Sequence, residues 1–541
     1  MQISSKKSIQ YLVSFFQQVG IIDIVICPGS RNLPLIISFK NAGFNLISVI
    51  DERSAGFIAL GISRASSKPT AIVTTSGSAA LNLAPAISEA FYERIPIIAM
   101  TADRPKSLVN CGENQTIIQQ GIFRNFVNLE LEIEETITLE RAEAIFQKMY
   151  HFITNVRFRG PIHINMPFSE PLMNVDNLLG NYHFNLVEEN NAFKLPQSNP
   201  NFHCEGNIMV YNTIENTGVE ISNLLQKGIN ENKWLVVNEI QTNLHLSQSI
   251  DYFDKLIHTY RDQLPKVKTI ITIGNQMISK AARAYFKSIP NILHIDIAPY
   301  SRKWDAISSN YICIESEETK VLKNLLKRES NCIDFQNEWI ESVEFVSKKH
   351  ESFFEKNIFK EWSVLFQIFK KTSNNTSVFW GNSSLVRYAS WSNFKPNIKH
   401  YVNRGVSGID GVLSTAIGWQ AKNESKNFVV VLGDVSALYE MNAFHSTHLI
   451  KSINILIFNN KGGMIFDNIH DLQGQNDVLT RHDFSFEHIA KMVKLEYVCI
   501  HNLTELDAMI SELNENEGKK RLIEIQFEDD SHRQWLDYFS K

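Results

Sequence analysis

The sequence predicts an α/β protein made of three doubly wound parallel-sheet domains. Short apolar or β-branched runs alternate with amphipathic stretches that are long enough to be crossover helices. The alternation occurs in three blocks, which we expect to be domains at residues 1–180, 181–345 and 346–541. A chain of 541 residues is also too long for a single hydrophobic core, so its length supports the same division.

The first block begins with an amphipathic segment that ends at Gly20, which predicts a helix. Its strands are predicted from short apolar runs at 21–27, 46–50, 71–74, 97–101 and 162–165. A polar stretch without periodicity, at about 175–200, predicts a linker to the second block. Ligands of parallel sheets meet the loops at the carboxyl ends of the strands, so we expect chemistry in those loops.

The second and third blocks repeat this pattern. Strands are predicted in the second block at 208–211, 234–237, 269–273 and 292–297, and in the third at 377–380, 428–432, 453–458 and 522–527. The charged segment at about 317–369 has a helical pattern and is expected to connect the two blocks. A glycine-rich turn precedes a predicted helix at 412–420. The second block has no GxGxxG fingerprint, which weakens a dinucleotide-binding interpretation.

Composition excludes several classes of protein. The net charge of -5 gives no reason to expect a nucleic-acid partner. Six cysteines occur without a Cys-x-x-Cys pair, so neither a zinc site nor a disulfide framework is indicated, and a reducing, cytoplasmic location fits. No apolar run approaches the roughly 18 residues that a membrane span requires.

Oxygen-bearing side chains follow two of the predicted strands in the third block. Asp434 comes directly after the run 428–432, and Asn460 follows the run 453–458 with Gly462 close behind. Carboxylate, amide and carbonyl oxygens without Cys or His suit Mg²⁺, which also binds phosphates. The alternative is structural, because an Asx turn and an Asn-Asn-Lys-Gly-Gly turn would produce the same residues.

This spacing resembles the signature of the thiamine diphosphate (ThDP) fold family, with its pyruvate oxidase and decarboxylase-like fold. The resemblance implies a metal, Mg²⁺ or Mn²⁺, held by Asp434, Asn460 and the Gly462 carbonyl. It implies that Glu52 faces the pyrimidine ring of ThDP as the proton-holding acid and that Ile409 bends the cofactor. The residues it assigns to ThDP are Glu52, Ile409, Gly433, Asp434, Val435, Ser436, Asn460 and Gly462. Structural alternatives are helix capping for Glu52 and ordinary core packing for Ile409.

The remaining loops narrow the resemblance to the 2-succinyl-5-enolpyruvyl-6-hydroxy-3-cyclohexene-1-carboxylate synthase family of the menaquinone pathway. The loops that carry it are Pro28-Gly29-Ser30-Arg31, Asp51 to Phe57, Thr101 to Pro105, Asn403 to Gly411 and Gly433 to Tyr439. This family decarboxylates 2-oxoglutarate and adds the resulting succinyl carbanion equivalent to isochorismate. Guanidinium forks suit such anionic substrates. The resemblance therefore implies these catalytic or substrate-contacting residues: Ser30, Arg31, Glu52, Arg104, Gln115, Lys280, Ser383, Arg387, Arg404, Ile465 and Phe466.

Other interpretations stay open at this point. Each arginine could form a surface ion pair, and Lys280 could be a solvated helix residue. The chain could be another ThDP-dependent 2-oxo acid decarboxylase, an acetohydroxyacid synthase-like carboligase, or a cofactor-binding protein without activity. The absence of an adjacent His-His pair argues against a simple decarboxylase. The family resemblance also implies a homodimer or homotetramer whose active site lies between subunits.

Overall fold

The computed structural model describes residues 2–177, 182–188, 207–251, 253–302, 307, 310–354, 358–372, 375–392, 397–468, 476–515 and 518–527. The chain forms two compact units. Unit 1 comprises Met1–Asn191, Asn403–Glu424 and Tyr439–Lys451, and unit 2 comprises Ala192–Val402, Ser425–Leu438 and Ser452–Lys541. Unit 1 is therefore built from three separate segments of the chain.

Unit 1 contains a parallel sheet of six strands in the order β3-β2-β4-β5-β7-β6, and a separate antiparallel pair, β1 with β8. Its strands are β1 (Gln2–Ser4), β2 (Asp23–Ile26), β3 (Asn45–Ser48), β4 (Thr70–Thr74), β5 (Ile97–Asp103), β6 (Leu129–Glu132), β7 (Ile162–Pro167) and β8 (Val175–Asn177). The helices among them are α1 (Lys7–Val19), α2 (Leu33–Asn41), α3 (Glu52–Ser66), α4 (Ser78–Leu81), α5 (Ala84–Glu93) and α6 (Leu139–Thr154). Gly20 ends α1 in the left-handed conformation, at φ 72°, as expected.

The first sheet of unit 2 has five parallel strands in the order β10-β9-β11-β12-β13. These strands are β9 (Ile208–Thr213), β10 (Leu235–Asn238), β11 (Thr269–Gly274), β12 (Leu293–Ala298) and β13 (Tyr311–Glu315). The helices are α7 (Val219–Asn230), α8 (Phe253–Tyr260), α9 (Lys280–Ser288), α10 (Glu318–Leu326), α11 (Ile333–Phe354) and α12 (Glu361–Lys371). The last three confirm the helical pattern of the charged connecting segment.

The second sheet of unit 2 has six parallel strands in the order β15-β14-β16-β17-β19-β18. They are β14 (Thr376–Trp380), β15 (Ile398–Val402), β16 (Asn427–Gly433), β17 (Ile453–Asn459), β18 (Glu496–Ile500) and β19 (Lys520–Gln526). The last helices of the chain are α13 (Ser384–Trp391), α14 (Val412–Asn423), α15 (Asp434–Tyr439), α16 (Met441–His445), α17 (Asn476–Leu479), α18 (Glu487–Met492) and α19 (Leu503–Glu515). Of these, α14 and α16 belong to unit 1.

Each large sheet has its own core of buried side chains, and the fold class predicted from the sequence is confirmed. The predicted linker differs at its beginning, because β8 pairs there with β1 in antiparallel register. Residues 178–181 and 189–200 of that linker lie outside the described part of the chain. The three domain boundaries stay a prediction.

The packing of α14 against α3 is the closest helix contact in unit 1. A Cβ on Gly61 would lie 2.0 Å from the carbonyl oxygen of Thr415, and one on Gly418 would lie 2.1 Å from that of Ile58. Each helix thus offers a glycine to the backbone of the other. Any larger residue at either position would force the two helices apart.

Candidate active site

The topology of the sheets brings particular loops together. In the first sheet the chain moves from β2 outward to β3 and then returns to β4 on the other side of β2. In the last sheet it moves from β14 to β15 and returns to β16 in the same manner. Loops diverge at such switch points and leave a crevice at the carboxyl ends of the strands. Most of the predicted site residues follow these strands.

Arg31 lies in the loop after β2, and its side chain is held from two sides. The residue is 4% exposed, and Nη1 donates to the Phe168 carbonyl oxygen at 3.1 Å. The same nitrogen lies 3.2 Å from the carboxylate of Glu170, a largely exposed residue. Ser30, beside it, is exposed. Arg31 is therefore fixed in the loop while it still faces a carboxylate.

Glu52 is the first residue of α3, but it does not cap the helix. That role belongs to Asp51, whose carboxylate accepts hydrogen bonds from the N–H and the hydroxyl of Ser54, at 3.0 and 2.6 Å. The half-buried Glu52 carboxylate instead accepts a hydrogen bond from Asn82 at 3.3 Å. Burial raises the pKa of the Cys27 thiol, and the nearby carboxylates of Glu52 and Asp51 add to the effect. The capping alternative for Glu52 is thus not needed.

Arg104 follows the end of β5, and Nη1 lies 3.4 Å from the carboxylate of Glu113. Its backbone N–H donates to Asp103 at 2.7 Å. Gln115, farther along the same loop, is exposed and has a φ of 56°. A Cβ on Gly77 would lie 3.4 Å from the carbonyl oxygen of Gln115, so this loop passes close to the turn after β4.

A buried polar network lies beneath Arg104 and joins the strand ends to this loop. Asn165 donates to Asp103 at 2.9 Å, and Gln119 donates to Asn165 at 2.9 Å. Gln119 in turn accepts the Gly77 N–H at 2.8 Å. Burial raises the pKa of Asp103, although its hydrogen bond from Asn165 opposes the shift. The network fixes the loop that carries Arg104 and Gln115.

Arg404 and Ile409 lie in the segment that joins β15 to α14. Arg404 is half-buried, and its backbone N–H donates to Glu93 at 3.0 Å. Ile409 is 39% exposed, so its side chain is not part of the buried core. Gly411 closes the segment against Phe57 of α3, because a Cβ there would lie 2.2 Å from the ring.

Glu440 holds the first turn of α14. Its carboxylate accepts the N–H groups of Leu413 and Ser414, at 2.8 and 3.2 Å, and the Ser414 hydroxyl at 2.9 Å. Glu440 is 2% exposed, and burial raises its pKa to about 7, with a further contribution from Asp410. A buried carboxylate thus takes the place of an N-cap side chain at this helix.

Asp434 and Asn460 directly follow β16 and β17, which are neighbouring strands of the last sheet. Asp434 is 2% exposed and accepts the N–H groups of Val435 and Gly462, at 2.7 and 2.9 Å. The Oδ1 atom of Asn460 is buried and has no hydrogen-bond partner among the described residues. A Cβ on Gly433 would meet no atom of the described part of the chain within 4 Å. These residues fit a metal with a diphosphate.

Two further residues contact this pair, and no motif in the sequence indicated either of them. The carboxylate of Glu361, at the start of α12, accepts a hydrogen bond from Asn460 Nδ2 at 2.8 Å. This bond orients the Asn460 amide so that its Oδ1 atom faces away from Glu361. The Nε2 atom of His482 lies 3.2 Å from Asp434 Oδ2, with the side chain 6% exposed. Among the described residues no group of three or more His, Cys, Asp or Glu side chains could hold a metal. The candidate donors are instead a single carboxylate, an amide and a carbonyl.

Ser383 and Arg387 lie at the switch point of the same sheet. Ser383 precedes α13 with a φ of 72°, a conformation that is uncommon for a residue with a Cβ. Arg387 is half-buried on the first turn of α13. Burial lowers the pKa of its guanidinium, and the nearby Asp254 carboxylate opposes this shift.

Three predicted residues have less distinctive surroundings. Lys280 is exposed at the first position of α9, as a solvated helix lysine would be. Ile465 is half-buried and Phe466 is 45% exposed, both in the short 3-10 segment Met464–Asn468. Residues 469–475, which follow them, lie outside the described part of the chain. The geometry leaves the roles of these three residues as predictions.

The predicted site residues are divided between the two units. Those in unit 1 are Ser30, Arg31, Glu52, Arg104, Gln115, Arg404 and Ile409. Those in unit 2 are Lys280, Ser383, Arg387, Gly433, Asp434, Val435, Ser436, Asn460, Gly462, Ile465 and Phe466.

Comparison with known proteins finds related sequences for both outer parts of the chain. Residues 7–126 match the family described as "Thiamine pyrophosphate enzyme, N-terminal TPP binding domain". Residues 381–525 match "Thiamine pyrophosphate enzyme, C-terminal TPP binding domain".

Similar proteins also extend over nearly the whole chain. A protein of Flavobacterium johnsoniae is 32% identical, with 96% of each chain covered, and one of Flavobacterium psychrophilum is 32% identical, with 90% of each covered. A protein of Bacteroides thetaiotaomicron is 29% identical over 89% of this chain and 87% of its own. All three are named 2-succinyl-5-enolpyruvyl-6-hydroxy-3-cyclohexene-1-carboxylate synthase.

The chain belongs to this synthase family. The family resemblance predicted from the loops is therefore confirmed, and so is the expectation of a thiamine diphosphate-dependent enzyme. The synthase family also agrees with the α/β architecture of three parallel sheets. In the described part of the chain, no helix has the length and apolar character that crossing a membrane would require.

Proposed function

We propose that this protein decarboxylates 2-oxoglutarate and adds the succinyl carbanion equivalent to isochorismate in a conjugate addition. The products are 2-succinyl-5-enolpyruvyl-6-hydroxy-3-cyclohexene-1-carboxylate and CO2, and the reaction is a step of menaquinone biosynthesis. The observation that carries the proposal is the similarity, over 96% of both chains, to a synthase of that name.

In this proposal Asp434, Asn460 and the Gly462 carbonyl bind Mg²⁺ or Mn²⁺. The support is the buried Asn460 Oδ1, which has no hydrogen-bond partner in the described part of the chain, together with a donor set made only of oxygens. The backbone of Gly433–Ser436 would then meet the diphosphate, where a Cβ on Gly433 would meet no atom of the described residues within 4 Å. Thiamine diphosphate, when bound, supplies an electron sink for carbanion chemistry at a 2-oxo carbon.

Two residues of unit 1 would face the other ring of the cofactor. Glu52 would hold a proton on its carboxyl oxygen beside the pyrimidine ring, and Asp51 leaves it available by capping α3 in its place. Ile409 would press its exposed side chain against the cofactor and exclude water from it.

Arginines would bind the carboxylates of the two substrates. Arg31 and Arg104 each already lie within ion-pair distance of a glutamate of the chain, at 3.2 and 3.4 Å. Both glutamates, Glu170 and Glu113, have exposed side chains, so a substrate carboxylate could replace them at small cost. Arg387 and Arg404 would complete the charge complementarity, with Ser30, Gln115, Ser383 and Lys280 as further polar contacts and Ile465 and Phe466 as an apolar wall.

We also propose that the protein is a cytoplasmic homodimer or homotetramer with its active site between subunits, and that its domains span 1–180, 181–345 and 346–541. The family resemblance supports this proposal, because it implies an active site between subunits. Sedimentation at several protein concentrations tests the assembly, and a monomer at assay concentrations would contradict it.

The reaction itself is tested by a product assay with thiamine diphosphate and Mg²⁺. Protein is incubated with 2-oxoglutarate alone and with 2-oxoglutarate plus isochorismate, while CO2 and the adduct are quantified by mass spectrometry. We expect CO2 release to depend on isochorismate, with one CO2 for each adduct. Rapid release of succinic semialdehyde from 2-oxoglutarate alone would identify a simple decarboxylase instead.

A further inference from the structure

Two buried glutamates of α5 hold the backbone of the segment that carries Arg404. Both oxygens of the Glu89 carboxylate accept backbone hydrogen bonds, one from Gly405 at 2.8 Å and one from Val406 at 2.7 Å. Glu93 accepts the N–H of Arg404 itself at 3.0 Å. Three consecutive N–H groups are thus bound by two side chains of one helix.

The segment lies against α5 with no space between them. A Cβ on Gly405 would lie 2.4 Å from the carbonyl oxygen of Glu89 and 3.1 Å from its carboxyl carbon. Any residue other than glycine would lift the segment from the helix. The position from which the Arg404 side chain leaves the backbone is therefore determined by Glu89 and Glu93.

Glu89 and Glu93 form a buried cluster with Arg64 of α3. Glu89 is 1% exposed, and the side chains of Glu93 and Arg64 are 9% and 7% exposed. Arg64 Nη2 lies 3.8 Å from Glu93, while Nη1 donates to Asn403 at 3.0 Å. Removing one member of a buried charged cluster leaves the others poorly compensated, so these acids are closely tied to the segment that they bind.

The charges of the cluster affect the proton affinity of Glu89. Burial raises the pKa of Glu89 to about 7, and the Glu93 carboxylate adds to the shift, whereas the two backbone hydrogen bonds and Arg64 oppose it. Burial also raises the pKa of Glu93, against the influence of Arg64 and Arg404. The ionised carboxylate of Glu89 accepts both N–H groups more strongly than the protonated form, because protonation makes one oxygen an O–H donor and a weaker acceptor.

We propose that Glu89 is a positioning residue for Arg404, which it orients by binding the backbone N–H groups of the two residues that follow. The inference rests on the proposed function, in which Arg404 binds a substrate carboxylate. Glu89 does not touch the substrate. It acts on substrate affinity through the direction of the arginine.

Glu89→Gln tests this with little change in shape. The amide has one acceptor oxygen, so one of the two N–H groups would face an NH2 group. We expect the KM of the substrate bound by Arg404 to rise about tenfold, the equivalent of one hydrogen bond to a charged group, with a smaller change in kcat. Unchanged KM values for both substrates would overturn the proposal.

A double-mutant cycle separates positioning from a general loss of structure. If Glu89 acts through Arg404, the kcat/KM of E89Q/R404K should lie within threefold of R404K alone. The matched control is E440Q, which alters a second buried carboxylate of unit 1 that also binds two backbone N–H groups, but at α14. The reductions of kcat/KM caused by E440Q and by R404K should multiply in the double variant, because the two act independently. If the reductions caused by E89Q and R404K also multiplied, the proposal would be contradicted.

A second variant and a second measurement keep the test open if E89Q does not fold. Glu93→Gln keeps an acceptor for the Arg404 N–H but removes the negative charge that raises the pKa of Glu89. The decline of kcat/KM that accompanies protonation of Glu89, below about pH 7, should therefore move to lower pH. A decline at unchanged pH would overturn the proposal.

Hydrogen exchange of the residue 404–406 amides should accelerate at least tenfold in E89Q but not in E440Q. This exchange is independent of activity, so it tests Glu89 even if wild-type protein forms no adduct and the proposed function fails.

Discussion

The buried carboxylate of Glu440 should make the stability of α14 depend on pH. Its pKa is about 7 in the folded protein against an ordinary value of 4.5. Between these values the folded state binds more protons than the unfolded state, so stability must decrease as the pH rises through this window. The shift of roughly 2.5 pH units corresponds to about 3 kcal/mol, with the decrease nearly complete above pH 7.

The perturbation that isolates this effect is Glu440→Gln, which removes the titration but keeps the shape. Hydrogen exchange of peptides from Val412–Asn423, corrected for the intrinsic pH dependence of exchange, gives the opening free energy of the helix at each pH. The wild-type value should fall by about 3 kcal/mol between pH 4.5 and 8, while that of E440Q should stay nearly constant.

The matched control for this experiment is Glu424→Gln at the other end of the helix. The Glu424 side chain is 64% exposed and pairs with Lys451 at 2.8 Å, and exposed pairs of this kind contribute about 0 to 1 kcal/mol. E424Q should keep the pH dependence of the wild type. A wild-type helix whose opening energy is flat from pH 4.5 to 8, or rises, would refute the reasoning.

Three further predictions concern the site and the fold. Glu52→Gln should reduce turnover at least a hundredfold while the affinity for Mg²⁺ and thiamine diphosphate, measured by tryptophan fluorescence, changes less than threefold; unchanged turnover would contradict the role of Glu52. Glu361→Leu should weaken Mg²⁺ binding roughly tenfold, because Asn460 loses the acceptor that orients its amide, and calorimetry that finds equal affinity would argue against this site. Burial lowers the pKa of His400 to about 3, so unit 2 should lose stability as the pH falls from 6.5 toward 3. In urea unfolding, His400→Gln should lessen this loss of stability. An equal loss in both proteins would exclude His400 as its source.

The sequence was most informative where strands are buried on both faces. The runs that form β16 and β17 are largely apolar because neighbouring strands and helices cover them, and both strands were predicted within one residue at each end. The described strands that were not predicted, β1, β6, β8, β13, β15 and β18, all lie at sheet edges. Edge strands pair on one side only and carry more polar residues, so their apolar runs are shorter.

The candidate site shows a similar limit. Motifs identified Asp434, Asn460 and the arginines, since each follows a predicted strand and carries the chemistry on its own side chain. The supporting acids Glu89, Glu440 and Glu361 were missed, because a single glutamate in a helical pattern is usually a solvated residue. What distinguishes them is burial against hydrogen-bond donors that are distant in the chain, backbone N–H groups for Glu89 and Glu440 and the Asn460 amide for Glu361. No local pattern records such contacts.

The glycine-to-backbone contact of α3 with α14 has a consequence for the synthesis of the protein. The partner surface of Gly61 is contributed by residues about 350 positions later in the chain. At the usual rate of translation the growing polypeptide must wait roughly 20 to 70 s before that surface leaves the ribosome. During this interval the face of α3 that carries Gly61 lacks the helix that covers it in the folded protein.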